Sequence, residues 1–163
     1  MSPRSTARRL RHSAGYLGLG MIAEAARELD GIVDQDRLTP EVMSARVDLH
    51  MHAKQWDLVV AASRELAQLV PEDDKGWISW AFALRELNRV EEARTVLLGA
   101  EPRLGKKCGI LHYNLACYHC LLGDRKEAKR RLALASAISA EWKNAARDDI
   151  DLTALWDDLT TTE

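Results

Sequence analysis

Apolar residues along the chain return at helical spacing, in groups separated by short polar breaks. The clearest group lies in residues 74–107, where small and bulky apolar residues stand at fixed offsets: Trp77, Trp80, Ala81, Leu84, Ala93, Leu97 and Ala100. Spacings of three and four residues place side chains on one face of an α-helix. The polar break near Asn88 divides this group into two runs. The pattern therefore predicts two amphipathic helices joined by a tight turn.

The same pattern recurs every 34 residues, with one extra residue near Cys108. It divides residues 1–142 into four degenerate hairpins at about 6–39, 40–73, 74–107 and 109–142. Two helices approach closely only where side chains are small, so Ala81 with Ala93, and Ala116 with Ala128, mark predicted crossings. Each hairpin leaves an apolar face that the next hairpin covers. The fold class predicted is therefore all-α.

The turn positions agree with this division. A left-handed residue is often needed where the first helix of a hairpin ends, and Gly20 and Gly123 fall there. Asn88 tolerates the same conformation. Lys54 carries a side chain that costs about 1 kcal/mol or more in that conformation, so we expect an altered turn at this position.

Helix starts and the chain end give further expectations. Asp124 with Glu127 predicts a capping box, and Thr39 predicts an N-cap ahead of Pro40. Residues 143–163 are predicted to form a helical cap and an acidic tail. We expect bulky side chains of this segment to cover the last hairpin, while its aspartates face water. Those side chains are Leu155 and Trp156, and the same predicted short helix carries Leu159.

These positions resemble the tetratricopeptide repeat (TPR), whose 34-residue unit has an aromatic residue, Leu-Gly and Tyr, and later Ala, Phe, Ala and Pro. The resemblance covers about residues 6–142. Val47 stands where the family has a small residue, and Gly105 and Ala140 stand where it has proline. The resemblance implies a right-handed α-solenoid of about four antiparallel hairpins with a C-terminal capping helix. It also implies a concave, partner-binding groove lined by the first helix of each hairpin.

Four places of each first helix face the groove in this family. Carried over to this sequence, they include the predicted partner-binding residues Asp48, Met51, Lys75, Ile78, Phe82, Arg85, Tyr113, Cys117 and Cys120. An aromatic anchor flanked by charges would suit a peptide or a helix of another protein. The alternative role of Phe82 and Tyr113 is packing between first helices.

The densest group of reactive side chains lies in the last hairpin, where His112, Cys117, His119 and Cys120 follow Cys108. Cys117 and Cys120 lie one turn apart on a predicted helix, and the second ligand pair of a structural zinc site is missing. His112 and His119 occupy places of core aromatics, which indicates packing. We predict no metal and no other cofactor. A metal- or redox-responsive regulator using Cys117, His119 and Cys120 stays open as an alternative.

Composition and charge narrow the function. The net charge of −2 gives no general attraction to nucleic acid or to an anionic membrane. The ends differ, however, because residues 1–12 carry four arginines and no acid, and residues 148–163 carry six acids and no base. No phosphate loop, nucleophile elbow or HExxH helix occurs.

These observations predict a cytoplasmic, non-enzymatic scaffold that binds another protein. Three cysteines and the absence of an apolar leader fit the cytoplasm. A secretion-type or assembly chaperone is the alternative within the same fold. The oligomeric state does not follow from the sequence.

Overall fold

The structure, a computed structural model, describes residues 5–156. Within that range the chain is helical and contains no β-strand. The longer helices are α1 (Thr6–Gly18), α2 (Ile22–Asp30), α3 (Pro40–His52), α4 (Trp56–Leu69), α5 (Asp74–Glu86), α6 (Val90–Leu104), α7 (Gly109–Leu121) and α8 (Arg125–Ile138). A short α9 (Glu141–Ala145) and a C-terminal 3₁₀ helix (Ile150–Leu155) follow, and another 3₁₀ turn (Asp34–Asp36) precedes α3.

Consecutive helices pack as hairpins that stack along the chain. The first helices contact each other from hairpin to hairpin, α1 with α3, α3 with α5 and α5 with α7, whereas the second helices have at most marginal contact. A stack whose first helices lie closer together than its second helices must curve. The first helices therefore line its concave surface, and the predicted all-α solenoid is confirmed.

Four hairpin turns share one left-handed geometry. The residues Gly20, Lys54, Asn88 and Gly123 have φ of 72°, 53°, 60° and 83°. In each turn the next amide N–H donates to a carbonyl five residues earlier, at 2.8 to 2.9 Å. This is the bond that closes a helix end and satisfies a carbonyl left without a partner.

The expectation of an altered turn at Lys54 is therefore wrong. Lys54 adopts the same conformation as the two glycines, and its side chain is exposed. Gln55 donates its N–H to the carbonyl of His50 at 2.9 Å, and the two side chains are also hydrogen-bonded at 2.8 Å. The closing bonds and the packing of α3 on α4 outweigh the steric cost of the lysine side chain.

Helix lengths show where the extra residue of the repeat resides. Each first helix has 13 residues, and the first helices begin at residues 6, 40, 74 and 109. Among the second helices, α6 has 15 residues, and α4 and α8 have 14. The extra residue thus lengthens α6, whereas the loop before α7 keeps its length.

The core confirms the role of the small residues. Ala81, Ala93, Ala116 and Ala128 are completely buried, as close crossings require. Trp77 belongs to the apolar face of α5 in the repeat pattern but is only partly buried. Its indole N–H donates to the carbonyl of Pro71 at 3.1 Å, and its ring stacks on Trp80 with centroids 6.1 Å apart.

Two helix starts differ from the expected caps. Asp124 accepts the N–H of Glu127 at 3.1 Å, which is half of a capping box. The Glu127 carboxylate instead accepts from Arg130 and Arg131 on its own helix. Thr39 donates its hydroxyl to the carbonyl of Asp36 at 3.0 Å and does not cap α3 with its side chain.

Residues 149–156, called the C-terminal segment below, cover the last hairpin, as predicted. Leu152 and Leu155 are fully buried in the same core as Leu111 and Leu115 of α7, and Trp156 is partly buried. Leu159 lies outside the described residues. The expectation that the aspartates face water is wrong for two of them: Asp149 and Asp151 turn toward α5 and α7 and are hydrogen-bonded there.

Residues 5–156 contain no helix with the length and hydropathy needed to cross a bilayer.

Candidate partner-binding groove

The open part of the concave surface lies between α3 and α5. Lys75 of α5 forms an ion pair with Asp48 of α3, and both side chains are partly exposed. Met51 and Trp56 are half-buried against one core cluster, and Ile78 is half-buried on α5. An exposed ion pair of this kind contributes little to stability, so its main effect is to fix the position of two charges.

Phe82 is the exposed aromatic residue of this surface. Its side chain is 37% exposed. The ring meets the ring of Trp56 edge-on, with centroids 5.9 Å apart and planes at 66°. This contact supports one side of the phenyl ring and leaves another side accessible.

Arg85 marks the point where the C-terminal segment meets the groove, at Asp151. Its Nε donates to Asp151 Oδ2 at 2.8 Å, a terminal nitrogen donates to Oδ1, and the other donates to Glu86 Oε1 at 3.0 Å. The hydrogen bonds to Asp151 raise the pKa of Arg85 above its ordinary value, although burial opposes the shift. A bidentate pair of this type holds both side chains in one orientation.

Tyr113 and Cys117 lie beneath Asp149. The Tyr113 hydroxyl donates to Asp149 Oδ2 at 2.6 Å, and Cys117 Sγ lies 3.8 Å from the same oxygen. Asp149 Oδ1 accepts the N–H of Asp151 at 3.0 Å. Burial, and then the nearby carboxylates, raise the pKa of both Tyr113 and Cys117. Both groups therefore stay protonated and act as donors.

The structure thus divides the predicted groove into two parts. Asp48, Met51, Lys75, Ile78 and Phe82 lie on the open part. The other four residues face the C-terminal segment of the same chain: Arg85, Tyr113, Cys117 and Cys120. The last three are buried there.

Sequence reasoning missed the residues that the C-terminal segment adds to this surface. Asp149, Ile150 and Asp151 line a cavity of about 300 Å³ together with Phe82, Glu86 and Asn114. The alternation of acid, apolar residue and acid shortly after α9 was the available signal.

His112 is a structural residue in the last hairpin. Its Nδ1 lies 3.3 Å from a guanidinium nitrogen of Arg131, and its Nε2 lies 2.8 Å from the carbonyl oxygen of Gly105. Because arginine can only donate, Nδ1 accepts and Nε2–H donates, which defines a neutral tautomer. Both ring nitrogens of His112 therefore have hydrogen-bond partners within the protein.

His119 is buried, and neither of its ring nitrogens has a hydrogen bond. Nδ1 lies 3.6 Å from Asp124 Oδ2, beyond hydrogen-bonding distance. Burial lowers the pKa of His119 below its ordinary value. The neutral ring therefore packs in the interior, as its place in the repeat indicated.

Potential metal ligands converge at a different place from the one considered in the sequence. In residues 5–156, ligand atoms of Cys117, Asp149 and Asp151 lie within 4.8 Å of one another. Arg85 and Tyr113 already occupy the two carboxylates, and the Cys117 thiol is held protonated. Metal ligands must be deprotonated and free to coordinate, so this arrangement is better described as a hydrogen-bonded junction.

A second cavity, of about 530 Å³, opens on the other side of the stack between α4 and α6. Trp77 and Trp80 line it, and the guanidinium of Arg64 lies 5.8 Å from the Trp80 ring centroid. Both tryptophans belong to the apolar face of α5 in the repeat pattern, which predicts a packed position. The wide separation of the second helices exposes them.

Stacked hairpins, buried alanines at the crossings and repeated left-handed turns define a helical-repeat protein with the TPR fold. Solved structures of this fold are similar to the chain over most of its length. A thermophilic TPR protein from Thermus thermophilus matches 96% of this chain and 100% of its own, with a TM-score of 0.71 and 18% identity.

Two further solved structures are those of MamA. MamA of MSR-1 matches 85% of this chain and 79% of its own, with a TM-score of 0.69 and 17% identity. MamA of AMB-1 matches 83% of this chain and 79% of its own, with a TM-score of 0.67 and 18% identity. Likeness at such identities establishes the fold. No protein-family model matches the sequence, and no curated protein sequence matches it.

Proposed function

We propose that the chain is a non-enzymatic interaction module that holds a peptide segment or a helix of a partner protein in its concave groove. The observation that carries this proposal is the position of Phe82. The ring is exposed, is supported by Trp56, and lies on α5 between Lys75 and Arg85. Binding energy at interfaces concentrates in aromatic residues of this kind, held rigidly and surrounded by polar groups.

The paired charges around Phe82 are suited to orienting a bound partner segment. Lys75 is held by Asp48, and Arg85 is held by Asp151 and Glu86. Groups that are already oriented lose little conformational entropy when a partner binds. They would orient the partner segment, while Phe82 supplies the apolar contact.

The chemistry of the cysteines supports a non-enzymatic role. Burial raises the pKa of Cys108 to about 11, and it also raises the pKa values of Cys117 and Cys120. A nucleophilic or redox-active cysteine needs the opposite shift, because the thiolate is the reactive form. The three thiols are free and buried. They fit a reducing compartment, and we place the module in the cytoplasm.

The test compares Phe82→Ala with Leu98→Ala, which removes a side chain of similar exposure, 38%, from α6 on the other side of the stack. Partners captured from the native host are identified, and their dissociation constants for the purified variants are measured. We expect Phe82→Ala to weaken binding about tenfold or more, with little change in melting temperature. Leu98→Ala should bind as the wild type does.

Two results would contradict the proposal. Equal binding by the wild type and by Phe82→Ala would remove Phe82 from the partner site. A loss of more than about 2 kcal/mol of folding free energy in Phe82→Ala would reassign its ring to packing.

A further inference from the structure

The C-terminal segment is a fixed wall of the groove. Leu152 and Leu155 are fully buried in the core shared by α7 and α8. The Asp151 carboxylate accepts two hydrogen bonds from the Arg85 guanidinium. Displacing the segment would expose both leucines to water and leave Arg85 without its main partner. A ligand of the groove must therefore bind beside this segment.

The wall presents an apolar residue to the open side. Ile150, between the two inward-facing aspartates, is 77% exposed. Ile150 and Phe82 both line the cavity of about 300 Å³ between α5, α7 and the C-terminal segment. An exposed isoleucine and an exposed phenylalanine at one concave cavity favour an apolar side chain as the ligand.

The charge of the same cavity determines which residues of a partner would flank that apolar side chain. Its lining contains one cation, Arg85, and three carboxylates, those of Glu86, Asp149 and Asp151, which gives a formal charge of −2. Tyr113 and Cys117 add no charge because burial and the nearby carboxylates raise their pKa values. A cationic segment is attracted to this cavity, and an acidic one is repelled.

We infer that the groove and the C-terminal segment together form a composite site that takes a bulky apolar side chain flanked by lysine or arginine from a partner protein. This inference rests on the proposed function and specifies its ligand. Phe82 and Ile150, which both line the cavity, contact the apolar side chain. Glu86 and Asn114 line the same cavity, and the Glu86 carboxylate, which accepts from Arg85 through Oε1, attracts the flanking cation.

The experiment selects random dodecapeptides displayed on phage against the full chain. The enriched peptides are then synthesised, and their dissociation constants are measured by fluorescence anisotropy at low and high salt. We expect lysine or arginine within three positions of a bulky apolar residue, and affinity that falls with salt. Ile150→Ser should weaken binding about tenfold, Glu86→Gln by a smaller factor, and Leu98→Ala not at all.

Ile150→Lys is the charge-reversing variant. It should abolish the preference for basic peptides while leaving the circular dichroism spectrum and melting temperature unchanged, because Ile150 is exposed. Peptides that bind equally well to wild type, Ile150→Ser and Glu86→Gln but depend on Phe82 would overturn the composite site and leave the groove proposal standing. Enrichment of acidic peptides would also overturn it.

Two further results would also overturn the inference. If no displayed peptide binds saturably, both this inference and peptide recognition by the groove fail. If the chain self-associates in sedimentation experiments and Ile150→Ser abolishes that association, the site belongs to a second copy of the chain and the partner inference is overturned.

Discussion

Arg85 and Asp151 are 66 residues apart in the sequence and form a bidentate ion pair. The pair joins α5 of the third hairpin to the C-terminal 3₁₀ helix, across the hairpin formed by α7 and α8. It therefore positions the wall of the candidate site relative to the helix that carries Phe82.

The first prediction concerns this pair. Arg85→Met and Asp151→Asn should each lower the free energy of unfolding by about 1 to 3 kcal/mol, because each leaves a partly buried group without its partner. In a double-mutant cycle measured by urea denaturation, the coupling energy should be about 1 to 2 kcal/mol. Strictly additive losses would mean that the pair does not hold the segment in place.

The second prediction concerns the left-handed turn at Lys54. Lys54→Gly should raise the free energy of unfolding by about 0.5 to 1 kcal/mol, because glycine adopts a φ of 53° without a steric cost. Asn88→Gly is the matched variant at the next turn. It should give a smaller gain because asparagine tolerates this conformation. A destabilised Lys54→Gly, measured by thermal and urea unfolding, would contradict the account of the turn.

The third prediction tests the cap. Leu152→Ala and Leu155→Ala should each cost about 2 to 5 kcal/mol, since both side chains are completely buried. Ile150→Ala, in the same short helix, should change the free energy of unfolding by less than about 0.5 kcal/mol because Ile150 is exposed. Similar losses in all three variants would show that the segment packs differently.

The fourth prediction separates two effects of pH. Burial lowers the pKa of His119 below 6.5, so the unfolded chain takes up a proton that the folded chain does not. The contribution of His119 to stability is complete above pH 6.5 and is lost as the pH falls below it. Pairing with Arg130, then Arg131, lowers the pKa of Glu127 from 4.5 to about 2. Its contribution is complete above pH 4.5 and is lost between pH 4.5 and 2.

Urea midpoints measured across the pH range distinguish these two groups. His119→Asn should reduce the decline in stability that begins near pH 6.5, and Glu127→Gln should reduce the decline below pH 4.5. An unaltered pH profile in His119→Asn would mean that the buried ring does not titrate as described.

The helical stack was predictable because its causes are local and repeat along the chain. Alanines at the crossings allow two backbones to approach, and their spacing of 34 residues is visible in the sequence. Gly20 and Gly123 mark turns for a similar reason, since few residues adopt their conformation. At Lys54 the local preference was misleading, because the bonds and packing of the turn outweigh the steric cost of a side chain.

The composite site was less predictable because it depends on the path of the chain after α9, and long-range contacts determine that path. An acidic stretch such as residues 149–151 has the composition of a solvated tail, and its local preference is to face water. The direction of the chain after α9 is decided by Leu152 and Leu155, which have an uncovered apolar face available only once α7 and α8 have packed. Repeat positions alone therefore identified Arg85 and Tyr113 without indicating that their partners belong to the same chain.

Trp142 ends the series of stacked hairpins. Its indole lies over Gly109, at a place that a side chain on residue 109 would have to enter, and 5.0 Å from the ring of Tyr113. A fifth hairpin grafted behind α8 would compete with this indole and the two buried leucines for one surface. A lengthened chimera would therefore require excision of residues 142–156, and the excision would also remove the wall that carries Ile150.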